Sequence, residues 1–197
     1  MILSRSQILA AVKSGDILID PFDENELGTN SYDVHLGDTL LTYKTDHPDG
    51  FDTIIDDKGM IRHYDIALDA KREQPTREHK IGPNGFWLLP EQFYLGVTQE
   101  YTETHKHVPF LDGKSSTGRL SAFIHCTAGR GDVGFCNHWT MELVVTKPVK
   151  VYVGMPIGQL IYFETGPVDL PYNKKPNAKY TERCARPQPS QMFRNFK

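Results

Sequence analysis

Between Gly113 and Val145 the chain reads GKSSTGRLSAFIHCTAGRGDVGFCNHWTMELVV, and the residues able to do chemistry are concentrated there. Lys114, Ser115, Ser116 and Arg119 fall close together; ammonium and guanidinium groups beside hydroxyls and loop amides suit a phosphate-bearing ligand. Downstream, Glu142 lies in the apolar run Thr140-Met141-Glu142-Leu143-Val144-Val145. A carboxylate flanked by Met, Leu and Val is costly to bury unless it is paired or used, and such neighbours are expected to push its pKa toward neutrality. The same Glu also suits the solvent side of an alternating strand, and the Gly/Ser-rich stretch also suits an ordinary turn.

The elements that must position these groups are short. Ser4 and Gln7 have capping-box spacing for a helix through Ile8, Leu9 and Val12 that ends near Gly15. Beyond it come β-like runs at Tyr32/Val34/Leu36, 40–43, 86–89, 93–97, 122–126, 141–145, 149–153 and 157–163, punctuated by Gly, Pro, Asn and Asp. Many short strands with little helix predict a mostly β fold, a barrel or sandwich. Residues 44–82 are charged and turn-rich and are expected to form a solvated excursion from a single domain spanning 1–197.

Composition excludes several classes. A formal charge of −3 argues against a general nucleic-acid binder, while local cations (Lys114, Arg119, Lys174, Lys175, Lys179, Arg183) leave room for a polyanionic small molecule. No run is long and apolar enough to span a bilayer, and the start has no signal-peptide pattern, so a cytoplasmic protein without membrane or nucleic-acid partners is expected. GKSS is not a nucleotide-triphosphatase phosphate loop, because Val108 stands where that motif needs its first Gly. Three cysteines, Cys126, Cys136 and Cys184, form neither a disulfide framework nor a zinc pattern, and the HxE…PCxxC signature of zinc nucleobase deaminases is absent. His125 beside Cys126 reads as a hydrogen-bonded His next to a buried thiol, since neighbours on a strand face opposite ways.

The ordered set GKSSxxR, HxTAGxxDxGF, TxEL, GMxIGQLxxF, PYN and AKY, with SYDVHLG upstream in place of SYDLRLG, resembles the deoxycytidine triphosphate deaminases of the trimeric dUTPase superfamily. The resemblance covers nearly the whole chain, with 44–82 the least similar part. It implies a dUTPase-like distorted β-barrel or jelly roll with a short N-terminal helix. It also implies zinc-independent hydrolytic deamination of dCTP with Glu142 as general acid and base, supported by Ser115 and Arg119 on the water and the Glu. Lys114 and Ser116 are placed on the phosphates, Thr127 and Ala128 at the water-seating turn, and Asp132 near sugar and base. Tyr172 and Lys179 are implied at the triphosphate. Gln159 is either a substrate contact or a strand-end side chain bonding backbone. Arg183 stands where Gln is usual, adding charge and a bidentate fork near the phosphates.

Two departures concern the pocket. Gly131 replaces a bulky residue, and GFCNHW replaces the usual GWxGxI or GFxGxI, so that Asn137 stands where Gly is expected. The resemblance further implies Mg²⁺ carried on the triphosphate, a homotrimer with sites between neighbouring chains, and inhibition by dTTP. The product is expected to be dUTP, narrowly ahead of dUMP formed by a bifunctional enzyme. A dUTPase-like pyrophosphatase is disfavoured by the presence of Glu142 and the lack of a Gly-rich, Phe-containing C-terminal motif. A non-catalytic binding protein is disfavoured by Lys114, Ser115, Arg119 and Glu142 occurring together.

Overall fold

The computed structural model describes residues 1–45, 50, 52–55 and 58–196. Among the described residues thirteen strands and two α-helices follow one another. Helix α1 (Arg5–Ser14) is followed by β1 (Ile17–Asp20), β2 (Tyr32–His35), β3 (Thr39–Tyr43), β4 (Asp52–Ile55), β5 (Ile61–Tyr64), β6 (Thr76–Lys80), β7 (Phe86–Leu88), β8 (Tyr94–Thr104) and β9 (His107–Gly113). Helix α2 (Ser115–Arg119) then precedes β10 (Ala122–Phe123), β11 (Cys136–Val145), β12 (Val149–Val151) and β13 (Pro156–Glu164).

The expected N-terminal signals operate as read. Gln7 reaches back so that its Oε1 accepts the Ser4 N–H at 2.9 Å, and Gly15 caps the far end of α1 in the left-handed conformation. The helix buries only Ile8 and Ala11, so packing onto the barrel stabilises it more than propensity does.

The main sheet runs β10-β11-β8-β3-β6, with β1 also on β8; a second sheet runs β2-β13-β9, and β7 pairs with β12. All pairings are antiparallel. Strand β8 is buried along nearly its whole length because it carries β11 on one edge and β1 and β3 on the other. One core joins the sheets: Val34, Leu111, Leu160 and Tyr162 from the second sheet belong to the same buried cluster as Leu40, Tyr94, Met141 and Leu143 from the first. The result is the mostly β, distorted barrel expected, with a short N-terminal helix.

The stretch 44–82 departs from its description as a solvated excursion. Thr76–Lys80 is strand β6, registered on β3 from Thr39↔Lys80 to Tyr43↔Thr76. Its charges are those of a sheet edge whose outer side meets water, which hid it in the sequence. Strands β4 and β5 form a separate exposed hairpin. Residues 46–49, 51, 56 and 57 of this stretch lie outside the described residues. No helix among the described residues is long and apolar enough to cross a membrane.

Candidate active site

Strand β11 carries the site because its side chains alternate without interruption. Asn137, Trp139, Met141, Leu143 and Val145 face inward, whereas His138, Thr140, Glu142 and Val144 face the other way. This corrects one expectation: Met141 and Leu143, next to Glu142 in sequence, belong to the opposite face and do not surround its carboxylate. Glu142 is half-buried, opposite Leu95 of β8, with its backbone N–H on the Ile124 carbonyl at 2.9 Å. Its Oε2 accepts the Cys126 N–H at 2.8 Å. One carboxylate oxygen is thereby fixed by the main chain, and Oε1 has no hydrogen bond among the described residues.

Glu142 opens onto a cleft of about 1110 Å³, also lined by Ala128, Arg130, Asp132, His138 and Tyr172. Typical small-ligand pockets hold roughly 300–1,000 Å³, so this cleft is large enough for a nucleotide. The turn leading into β11 is pinned at both ends: the Gly129 carbonyl accepts from Leu111 N–H at 2.7 Å, and Gly131 N–H donates to Pro109 at 2.8 Å. A Cβ on Gly129 would stand 2.5 Å from the Leu111 carbonyl oxygen, so this turn admits no side chain there without moving β9. Tyr172 is brought in by its N–H on the Val133 carbonyl at 2.7 Å. Its hydroxyl in turn accepts the N–H groups of Lys179 (3.3 Å) and Tyr180 (3.0 Å).

Gly131 does not widen the cleft. A Cβ there would lie 2.7 Å from the Trp139 ring and 2.9 Å from Pro109, so Trp139, standing where Ile is usual, fills the space a bulky residue 131 would take. Trp139 is locked by Nε1–H on Thr102 Oγ1 at 3.0 Å and by contact with Phe135 at 4.6 Å between ring centres. Gly131→Ile is therefore expected to destabilise the fold by about 1–3 kcal/mol through overpacking. Adding Trp139→Ile should restore most of that loss in denaturant titrations. Additive losses would show that the two positions do not share the space.

The structure divides the expected site residues into two groups. Ala128, Asp132, Glu142 and Tyr172 line the cleft, with exposed Thr127 next to Ala128. Ser115, Ser116 and Arg119 lie on α2, all three exposed, and neither they nor Lys114 line the cleft. No helix is expected here from the sequence, since the Gly/Ser content hides one whose single buried side chain is Thr117. Lys114 Nζ pairs with Asp33 of β2. Gln159 belongs with the second group, as its Nε2 donates to the Gly113 carbonyl at 3.5 Å and its Oε1 accepts from Ser31 at 3.2 Å.

Lys179 is half-buried beside Tyr172 without lining the cleft. Arg183 is also away from it: its guanidinium lies 4.1 Å over the Tyr101 ring and 3.4 Å from Asp20. Cys126 differs from the buried thiol expected, being exposed. Desolvation foremost, and then the Glu142 carboxylate, push its thiol pKa up, the opposite of an activated nucleophile. His125 Nδ1 is buried without a hydrogen-bond partner among the described residues, and Nε2 approaches Asp112 at 3.5 Å.

Several cleft residues gave no sequence signal as site residues. Tyr43, Phe93, Tyr180, Gln188 and Ser190 line it although they are distant in the chain. His138 lines it too, and burial foremost, with the Arg183 charge adding to it, holds its pKa below 6.5. Burial also lowers His79 and His107. Each imidazole binds a proton less readily folded than unfolded, so the unfolded state gains protons first as pH falls below 6.5. Stability present above that value is lost on acidification, and Tm should fall between about pH 7 and pH 5, ahead of carboxylate titration. Calorimetry checks this; a Tm that is flat or rises across the window contradicts it.

Residues 2–165 match the dCTP deaminase-like family. A protein of Clostridium beijerinckii named "dCTP deaminase, dUMP-forming" is 39% identical over 196 residues, covering 100% of this chain and 99% of its own. One of the same name from Leptospira biflexa is also 39% identical, over 100% of this chain and 98% of its own. The crystal structure of 2′-deoxycytidine 5′-triphosphate deaminase from Agrobacterium tumefaciens superposes with a TM-score of 0.59 at 18% identity, over 86% of this chain and 50% of that one. This chain thus spans half the length of that structure, and at such identity the likeness concerns the fold. Its strands, its Glu-bearing β11 and its full-length relatives agree: the chain belongs to the dCTP deaminase-like family.

Proposed function

We propose that the protein converts dCTP to dUMP, pyrophosphate and ammonia, with Glu142 as the general acid and base of the deamination. The observation that carries this reading is the Glu142 carboxylate, anchored by the Cys126 N–H and opening onto a nucleotide-sized cleft. A water deprotonated by Glu142 adds to C4 of the cytosine as N3 takes a proton. The C4–N4 bond then breaks as the amine receives a proton and leaves as ammonia. A second water attacks the α-phosphorus, and pyrophosphate departs. dUMP as product reverses the narrow preference for dUTP drawn from the sequence. The reversal is supported by the dUMP-forming names of the full-length relatives.

The reading includes a homotrimer whose sites are shared. The cleft holds Glu142, Asp132 and Tyr172 but lacks the Lys114–Arg119 cations. A neighbouring chain's α2 turn would supply the missing charge. Exposed Leu120 (54%) and Phe123 (55%), flanking that turn, provide apolar surface for the contact. Asp132 and Glu142 make the cleft acidic where an Arg119 would enter.

Among the described residues no three His, Cys, Asp or Glu side chains converge as metal ligands. Mg²⁺ would therefore be held by phosphate oxygens and water, as this ion prefers, with the basic α2 turn balancing the remaining charge. The proposed chemistry draws on no zinc, and any dTTP inhibition would act through the same cleft, whose base and sugar contacts a thymidine nucleotide shares.

Incubation with dCTP and Mg²⁺, with ammonia and pyrophosphate followed together, tests the product. Release of both in step from the earliest time points is expected. Ammonia without pyrophosphate, with dUTP accumulating, would return the assignment to a monofunctional deaminase.

A further inference from the structure

Asn137 is buried, with 2% exposure, at the rim of the cleft, on the inward face of β11. A buried amide must find partners for two N–H groups and its oxygen, and this one finds them in the C-terminal segment. Nδ2 donates to the carbonyls of Tyr180 (3.2 Å) and Glu182 (2.8 Å), and Oδ1 accepts the N–H of Cys184 (2.8 Å) as well as that of His138 (2.9 Å). Three of its four hydrogen bonds therefore clasp the main chain of residues 180–184.

The clasp is the first of a series. Thr140 Oγ1 accepts the Gln188 N–H at 3.0 Å, the Tyr43 hydroxyl accepts the Ser190 N–H at 3.0 Å, and the Tyr180 hydroxyl accepts the Gln191 N–H at 3.0 Å. Arg186 pairs with Glu78 of β6, and Arg183 stacks on Tyr101. Between these ties, Tyr180, Gln188, Ser190 and Met192 form one wall of the cleft that Glu142 opens onto. Polar side chains bonding its backbone tie the segment at five of its residues, and Pro187 is its single buried residue. Such a strap has little hydrophobic anchorage, so the buried amide at its start has a disproportionate part in fixing it.

We propose that Asn137 is a positioning residue that holds the C-terminal segment as a standing wall of the nucleotide cleft before any nucleotide binds. With glycine at 137 there is no side chain to make these bonds, and the ordering of residues 180–191 must then be driven by the ligand at the expense of affinity. Asn137 acts through the strap and is not placed on the reacting atoms. The inference rests on the proposed function only for the choice of dCTP as ligand.

The test compares wild type with Asn137→Gly, the residue usual at this position in the resembling family. Limited trypsin cleavage after Arg183, without nucleotide, should accelerate at least tenfold in the variant, as expected for loss of several hydrogen bonds. KM for dCTP should rise about tenfold with kcat at saturation within about twofold, a split that general destabilisation does not produce. Asn137→Asp, which keeps the acceptors for His138 and Cys184 but loses both donors, should fall between the two. Equal cleavage rates and KM in wild type and Asn137→Gly would overturn the proposal. If the variant does not fold, hydrogen exchange of the wild-type protein decides: Cys184 and Gln188 amides protected without nucleotide support the standing wall, and exchange at unprotected rates overturns it. The protease and exchange readings use no nucleotide, so they stand even where dCTP turnover is absent.

Discussion

Replacing Glu142 with Gln is expected to lower dCTP deamination by a factor of about 10³ or more while leaving fold and nucleotide binding in place. The amide keeps the shape of the carboxylate, and its oxygen can still accept the Cys126 N–H that fixes the side chain at 2.8 Å. It cannot take a proton from water or pass one to N3 and the leaving amine. The position tolerates the change structurally, because Glu142 lies on the cleft face of β11 and its inward neighbours Met141 and Leu143 hold the strand. The check is a rate measurement alongside isothermal titration with dCTP. Turnover within about tenfold of wild type would remove Glu142 from the proton-transfer role, and loss of binding together with activity would make it a binding group.

The second large effect is complementation between two inactive proteins. The Arg119-bearing α2 turn is exposed and none of its residues lines the cleft that holds Glu142. If each site takes Glu142 from one chain and Arg119 from its neighbour, Glu142→Gln and Arg119→Ala are each nearly inactive as pure proteins. Unfolded together in equal amounts and refolded, they form mixed trimers in which about a quarter of the sites receive both intact residues. Recovery of roughly that fraction of wild-type activity is expected. No recovery, in samples shown by light scattering to be trimeric and mixed, would place both groups in a site within one chain.

What the sequence made legible followed local rules. The capping box at Ser4 and Gln7, the β-like run at 141–145 and the ordered motifs around Glu142 each state a backbone preference or a chemistry that neighbours in sequence suffice to specify. Edge strand β6 was hidden because exposed edges carry the same charges as loops. Helix α2 was hidden by Gly and Ser in a segment too short for periodicity to register. The surroundings of Glu142 were misread for a physical reason: neighbours along a strand point away from each other, so Met141 and Leu143 say what the core contains and nothing of the cleft.

The less legible part of the site depends on contacts between distant segments. Arg183 looked like a phosphate ligand by position, but its guanidinium is taken up by the Tyr101 ring and Asp20. Gly131 marked a departure near the pocket without a direction, and that Trp139 takes the space a side chain there would need is visible only once Trp139 and Pro109 are seen against it. Asn137 was noticeable as a missing glycine, and its partners at 180–184 lie more than forty residues away.

The most direct test of the central claim is to run the reaction on dCTP in ¹⁸O water and locate the label in the products by mass spectrometry. Hydrolytic deamination at C4 followed by attack at the α-phosphorus predicts dUMP carrying one label at O4 and one on its phosphate, with unlabelled pyrophosphate. Absence of label from O4, or label in pyrophosphate in place of dUMP phosphate, would contradict the account.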